Sequence, residues 1–300
     1  GVGYDFSTLR PRGTVVGRTR TIASGPVAFM DIWDAMCATV LSTGARRGAM
    51  MATLRCDHPD IAEFVDAKRE AGRLTRFNVS VLVSDAFMEA VKADADWPLV
   101  SPADAIDPEE GEGGTVERHW PGYEGPVTCR VVRTLPARDL WQRITQATYD
   151  TAEPGVVFID RVNQWNNLWY REHISATNPC GEEPLPPYGS CNLGSINLAA
   201  FVRDPFEANA RLDLEAIADL VPTAVRMLDN TIDASRFPLT RQAEVERGNR
   251  RVGLGITGLA DALIMLGLRY DSAAGRAQAE TAMRTITETA YRASAALARE

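Results

Sequence analysis

The sequence predicts an α/β protein, and three observations predict it. Stretches with apolar residues at helical spacing alternate with short apolar runs of strand length. Hydrophobic residues make up 45% of the chain and charged residues 24%, an ordinary globular balance. No run approaches the roughly eighteen apolar residues of a membrane span. In order, the pattern predicts a helix over 27–42 that stops before Gly44, a strand over 49–55, and a helix from Asp60 to about Glu70. A strand follows at 78–83 and a helix at 85–93. Residues 94–126 are rich in Pro, Gly, Asp and Glu and read as a surface excursion of one domain spanning 1–300, not as a boundary. A helix over 137–150 is broken by Pro154 and Gly155 before a buried strand at 156–159. Helices are expected again at 212–233, 255–266 and 274–298. The chain opens GlyValGlyTyr and stops inside a helical pattern, so it reads as a domain incomplete at both termini.

Net charge is −8, with the two signs interspersed. That argues against nucleic-acid binding, which needs clustered Lys and Arg, but leaves small phosphorylated ligands open. The five cysteines (37, 56, 129, 180, 191) are scattered and form no CxxC pair, which disfavours structural zinc and suits a reducing, cytoplasmic compartment. His58, His119 and His173 lack spaced partners, so no metal site is expected. GlyLeuGlyIleThrGly at 253–258 has dinucleotide-fingerprint spacing without the βαβ context, and reads as a strand-to-helix turn.

Chemistry concentrates in residues 176–198. Asn178, Cys180 and Glu182 put an amide, a thiol and a carboxylate at alternate positions, which in extended backbone share one side. Pro179 biases Asn178 toward extension and Gly181 permits a turn. An isolated cysteine is most often a small buried hydrophobe. Flanked by an amide and an acid on a Pro/Gly loop, it reads as a reaction centre. Cys37, Cys56 and Cys129 keep the structural reading.

AsnProCysGlyGlu (178–182) and SerCysAsnLeuGlySerIleAsnLeu (190–198) resemble the finger loop and the following strand of a ribonucleotide reductase large chain. Collinear support comes from GlyTyrAspPheSerThrLeuArgProArgGly (3–13), AlaSerGlyProValAlaPheMet (23–30), GlyAlaArgArgGlyAla (44–49) with LeuArgCysAspHisProAspIle (54–61), and AsnArgArgValGlyLeuGlyIleThrGlyLeuAlaAsp (249–261). The first two variants look most like the adenosylcobalamin-dependent class II branch. The resemblance implies part of a ten-stranded α/β barrel of the ribonucleotide reductase and glycyl-radical type, with the finger loop at its centre. It implies reduction of ribonucleotides, whether di- or triphosphates, to 2′-deoxyribonucleotides by an enzyme of the ribonucleoside-diphosphate reductase type, with adenosylcobalamin supplying the initiating radical.

In that reading a thiyl radical on Cys180 abstracts the ribose 3′ hydrogen inside an enclosure that excludes water. Glu182 takes the 3′-hydroxyl proton, Asn178 holds substrate and Glu182, and Glu183 points away. Cys191 is one of two reducing thiols, recycled by a thioredoxin-like or dithiol reductant. Gly1 and Gly3, with Pro179 and Gly181, allow close approach by substrate; a plain turn is the alternative for the first two. Arg46 and Arg47, with Arg10 and Arg12, fall at the loops that read a deoxynucleotide or ATP effector, against a bland reading as solvated arginines. A homodimer is compatible with the family. The competing functions are a class I large subunit fed by a separate radical-generating chain, a non-catalytic nucleotide-binding regulator and a thiol redox module.

Overall fold

The computed structural model describes residues 1–16, 20–40, 48–107 and 111–300, which divide into two compact units, Gly1–Pro187 and Tyr188–Glu300. In the first unit β1 (Val2–Asp5) leads to a small hairpin, β2 (Val15–Val16) and β3 (Thr21–Ile22), and then to α1 (Pro26–Thr39). Pro26 opens α1 at a position where its missing N–H costs nothing. Next come β4 (Met50–Arg55), α2 (Ile61–Asp66), β5 (Phe77–Val83) and α3 (Asp85–Ala93). Ser84 caps α3 by accepting the Phe87 N–H, and Asp94 ends it in the left-handed region at φ 54°. The unit continues with β6 (Asp96–Pro102), β7 (Thr115–His119), β8 (Pro126–Pro136), α4 (Ala137–Thr151), β9 (Gly155–Phe158), α5 (Ile159–Gln164), β10 (Ala176–Thr177) and β11 (Pro184–Leu185).

The strands β1, β4, β5 and β9 form a parallel sheet in that order. Alternation divides its central strands into two unlike faces. Met50, Ala52, Leu54, Phe77, Val79, Val81 and Val83 face one way, into the main core with Phe64, Phe87, Leu140 and Ile144 from the helices. Met51, Thr53, Arg55, Asn78, Ser80 and Leu82 face the other way, and most of these are polar. Because most of both faces is covered, the strands read as near-continuous buried runs in sequence.

The 94–126 stretch departs from the loop expectation. Part of it is built into the antiparallel sheet β6–β8–β7, in which Trp97, Leu99 and Val100 are buried. Trp97 Nε1 donates to the Cys56 carbonyl at 3.1 Å and packs edge-on against Phe87 at 5.2 Å. These few apolar anchors outweigh the turn-rich composition around them.

In the second unit β12 (Asn192–Asn197), β13 (Val202–Arg203), β14 (Arg211–Leu212), α6 (Leu214–Ala234), α7 (Thr240–Asn249), β15 (Val252–Thr257), α8 (Leu259–Met265) and α9 (Ala273–Leu297) follow in order. β12 pairs in parallel with β15, from Asn192↔Val252 to Asn197↔Thr257. The expected helix at 255–266 therefore begins only at Leu259. Its first residues are claimed by a strand pairing that no local window reveals. The stripe Ile217, Val221, Val225, Leu228 and Ile232 of α6 is buried, and Ile217, Val221 and Val225 share a core with Ala282 and Ile286 of α9. Asp213 caps α6 by accepting the Ala216 N–H at 3.0 Å.

Candidate active site

Asn178, Cys180 and Glu182 lie at the tip of the hairpin β10–β11, paired Thr177↔Pro184. The tip is a turn, and this corrects the extended-backbone reading. Asn178 Oδ1 accepts the N–H groups of Gly181 at 3.1 Å and Glu183 at 3.0 Å, and the Asn178 N–H donates to the Glu183 carbonyl at 3.2 Å. Such side-chain bonds to nearby backbone outcompete extension. Gly181 completes the turn at φ 87°, a region that favours glycine. The oxygen of Asn178 is thus engaged in shaping the loop, not aimed at a ligand. Cys180 and Glu182 project from this clamped tip, both exposed. Glu183 is half-buried, with one carboxylate oxygen covered and unpartnered.

The hairpin is seated on the polar face of the sheet around the cross-strand row Gly3↔Met51↔Asn78. A Cβ on Gly3 would overlap the Thr177 carbonyl, and one on Gly1 would overlap the Pro179 ring. The two glycines therefore give the space of a Cβ to the loop. Met51 lies beneath Gly181, its Cε 3.7 Å from where a Cβ would stand. Asn78 Nδ2 donates to the Pro179 carbonyl at 2.6 Å, and Thr53 Oγ1 donates to the Ser175 carbonyl at 3.2 Å. Asn78 was the residue sequence reasoning passed over. The signal was a lone amide in an apolar strand, where an unpaired polar group would be costly.

Among the described residues the sheet supports the loop from beneath, and Cys180 at its tip is exposed. In the second unit Cys191 precedes β12 and is half-buried; its thiol donates to the Asn192 carbonyl at 3.7 Å. Gly253 lies alongside, where a Cβ would stand 3.8 Å from the Cys191 sulfur. All five cysteines are unbonded thiols. Burial pushes Cys56 up to about 12 and Cys129 up to about 11, which fits inert structural thiols. Cys37 is half-buried against Gly48.

The expected effector arginines separate. Arg46 and Arg47 lie outside the described residues. Arg10 Nε donates to the Ala105 carbonyl at 3.0 Å, and Arg12 pairs with Glu63 at 3.2 Å while its own N–H is held by Asp60. Arg12 and Glu63 also line a cavity of about 380 Å³ with Ser24, Asp31 and Arg73. A second cavity, of about 370 Å³, opens near the carboxyl ends of β4 and β5, away from the row that seats the thiol loop. Its central charge is already compensated, because Asp57 is bonded by Arg55 at 2.8 Å and by Arg118 at 3.2 Å. His58 is buried, held by the Leu9 carbonyl and the Asp60 N–H, and desolvation lowers its pKa. No cluster able to hold a metal occurs among the described residues.

Comparison with known proteins places these features in context. The family profile described as "Ribonucleotide reductase, barrel domain" matches residues 1–300. The vitamin B12-dependent ribonucleoside-diphosphate reductase of Mycobacterium tuberculosis (strain CDC 1551 / Oshkosh) is 42% identical over 301 residues, covering 100% of this chain and 39% of that protein. A protein of the same name from Thermoplasma acidophilum is 38% identical, covering 100% of this chain and 36% of its own length. The ribonucleoside-diphosphate reductase subunit alpha of Chlamydia trachomatis serovar D is 28% identical, with 29% of its length covered. The chain thus spans about two fifths of the length of the first two relatives.

Proposed function

This chain belongs to the ribonucleotide reductase barrel-domain family, and we propose that it carries the radical-bearing thiol of an adenosylcobalamin-dependent enzyme that reduces ribonucleoside diphosphates to 2′-deoxyribonucleotides. The observation that carries the reading is the seating of Cys180: a thiol on a turn clamped by Asn178 and fixed to the sheet through Gly3, Met51 and Asn78. A loop that merely filled space would not need such positioning, whereas hydrogen abstraction does.

Cys180 as a thiyl radical removes the 3′ hydrogen of the ribose and, once the 2′ carbon is reduced, returns it to C3′ and becomes the thiyl radical again. Glu182, two residues on and likewise exposed, takes the 3′-hydroxyl proton as the 2′-hydroxyl leaves as water. Asn178 keeps both at fixed spacing and offers its amide nitrogen to the sugar. Cys191 and a partner thiol elsewhere in the full-length protein are oxidised to a disulfide, which supplies the two electrons and two protons of the reduction. A thioredoxin-like or dithiol reductant then restores the pair. Bound substrate and the remainder of the barrel close over the exposed sulfur and exclude water.

Cys180 is exposed at the hairpin tip, so a bulky radical donor can reach it before substrate closes the site. When bound, adenosylcobalamin supplies the initiating radical. The cobalamin-dependent names of the 42% and 38% relatives favour this over a class I subunit, the name type found at 28%. A deoxynucleotide or ATP effector would engage the Arg10–Arg12 region with Arg46 and Arg47. The exposed Phe29, Ile32 and Met36 of α1 offer an apolar face to a second copy. Five free thiols suit a cytoplasmic setting, and no described helix is long and apolar enough to cross a membrane.

The test uses the full-length enzyme with adenosylcobalamin and no second subunit. Cys180→Ser is expected to abolish reduction while leaving nucleotide affinity nearly unchanged. Substantial residual turnover would remove Cys180 from the mechanism, and an inactive wild type under these conditions would reject the cobalamin-dependent reading.

A further inference from the structure

Helix α7 packs in an unusual way. Its sequence, ThrArgGlnAlaGluValGluArgGlyAsn, offers almost no apolar stripe, and of its ten residues, all described, Glu246 alone is buried, at 3% exposure. Burying a carboxylate is costly unless strong hydrogen bonds compensate. Here the Glu246 Oε1 accepts the backbone N–H of Ser190, the residue immediately before Cys191. The helix is itself fixed one turn beyond Glu246, at its C-terminal cap. Arg250, which terminates it at φ 48°, holds both carboxylate oxygens of Asp229 at 2.7 and 2.9 Å and reaches Asp233 at 3.0 and 3.1 Å, both on α6. Charge-assisted bonds therefore tie the last turn of α7 to α6 through Arg250 and, through Glu246, to the amide that precedes the thiol.

We propose that Glu246 is a positioning residue for the Cys191 thiol, fixing the backbone at Ser190 so that the sulfur leaves the start of β12 in one orientation beside Gly253. The proposal rests on the reading of Cys191 as a reducing thiol. Glu246 exchanges no electron or proton in it. Its part is to hold the strand start against the displacement that disulfide formation and re-reduction impose, since thiol exchange depends on which sulfur is reached and from where.

The experiment uses full-length enzyme carrying Glu246→Ala or Glu246→Gln, assayed for deoxynucleotide formation, for release of tritium from 3′-labelled ribonucleotide, and for alkylation of Cys191 by iodoacetamide, followed on its peptide. Loss of one charge-assisted bond is expected to lower product formation about 10- to 100-fold in Glu246→Ala and to raise Cys191 alkylation. Tritium release, which the Cys180 step controls, is expected to stay at the wild-type level. Glu246→Gln, which keeps an oxygen acceptor for the Ser190 N–H, is expected to recover most of the lost activity. Should Glu246→Ala fail to fold, Glu246→Asp withdraws the carboxylate by one methylene and should show the same split in milder form. Unchanged product formation and alkylation in Glu246→Ala would overturn the proposal, as would a Glu246→Gln enzyme as impaired as Glu246→Ala. Cys191→Ser separates the two readings. Repeated turnovers in that variant would refute the role of Cys191 itself, whereas the alkylation assay reports on the Glu246 contact regardless.

Discussion

The two faces of β4 and β5 are built from alternate residues of the same strands, yet they serve different ends. Met50, Ala52, Leu54, Phe77, Val79 and Val81 turn toward the helices and form the core. Met51, Thr53 and Asn78 turn the other way, where Asn78 and Thr53 bond the segment that carries Cys180. A strand with both faces covered is usually apolar throughout, so Thr53 and Ser80 among the buried residues mark the face that does something besides packing. Stability resides on one face and loop placement on the other.

Substitutions can break or sharpen that division. The largest effect is expected from Leu54→Ala on the core face, which should cost about 2–5 kcal/mol of stability while leaving turnover per folded molecule nearly intact; denaturant unfolding alongside activity checks both. Gly3→Ala on the loop face should do the reverse. A methyl group there meets the Thr177 carbonyl, so the hairpin must shift. A displacement of about 1 Å should lower turnover roughly 100-fold, with the melting transition little changed.

Asn78→Ala leaves the Pro179 carbonyl without its donor, and should cost about 1–3 kcal/mol, appearing mainly as faster hydrogen exchange of the hairpin amides. The smallest effect concerns Asp5. Burial pushes its carboxyl up to about 6 from an ordinary 3.8, and its Oδ2 has no partner. The folded state thus holds a proton that the unfolded chain releases at lower pH, so stability should fall as pH rises from about 4 to about 6. Asp5→Asn should flatten that segment of the pH profile and raise stability above it; a pH series of unfolding midpoints reads this directly.

Much of the fold was legible in sequence where periodicity is local. The helices α3, α4, α6 and α9 fall where apolar spacing and caps put them. The strand-to-helix turn at 253–258 is where the sequence puts it, but the helix expected from 255 starts only at Leu259, because the pairing of β15 with β12 joins residues some sixty positions apart. The sheet β6–β8–β7 was hidden by a turn-rich composition that says little about the three anchors Trp97, Leu99 and Val100. At the site, the identity of the loop was legible from Asn178, Cys180 and Glu182, but its shape was not. The rule that places alternate residues on one side holds only in extended backbone, and the Asn178 side chain bends the chain into a turn. Likewise Gly1 and Gly3 were visible as close-approach positions, yet nothing local says that the approaching group is the protein's own Thr177 and Pro179.

The account stands on the sulfur of Cys180 being the atom that takes the sugar's 3′ hydrogen. Release of tritium to water from 3′-labelled ribonucleotide, followed in the full-length enzyme, measures that step without requiring a completed reduction. The prediction is release in the wild type and in Cys191→Ser, and none above background in Cys180→Ser. Tritium release that persists in Cys180→Ser would contradict it.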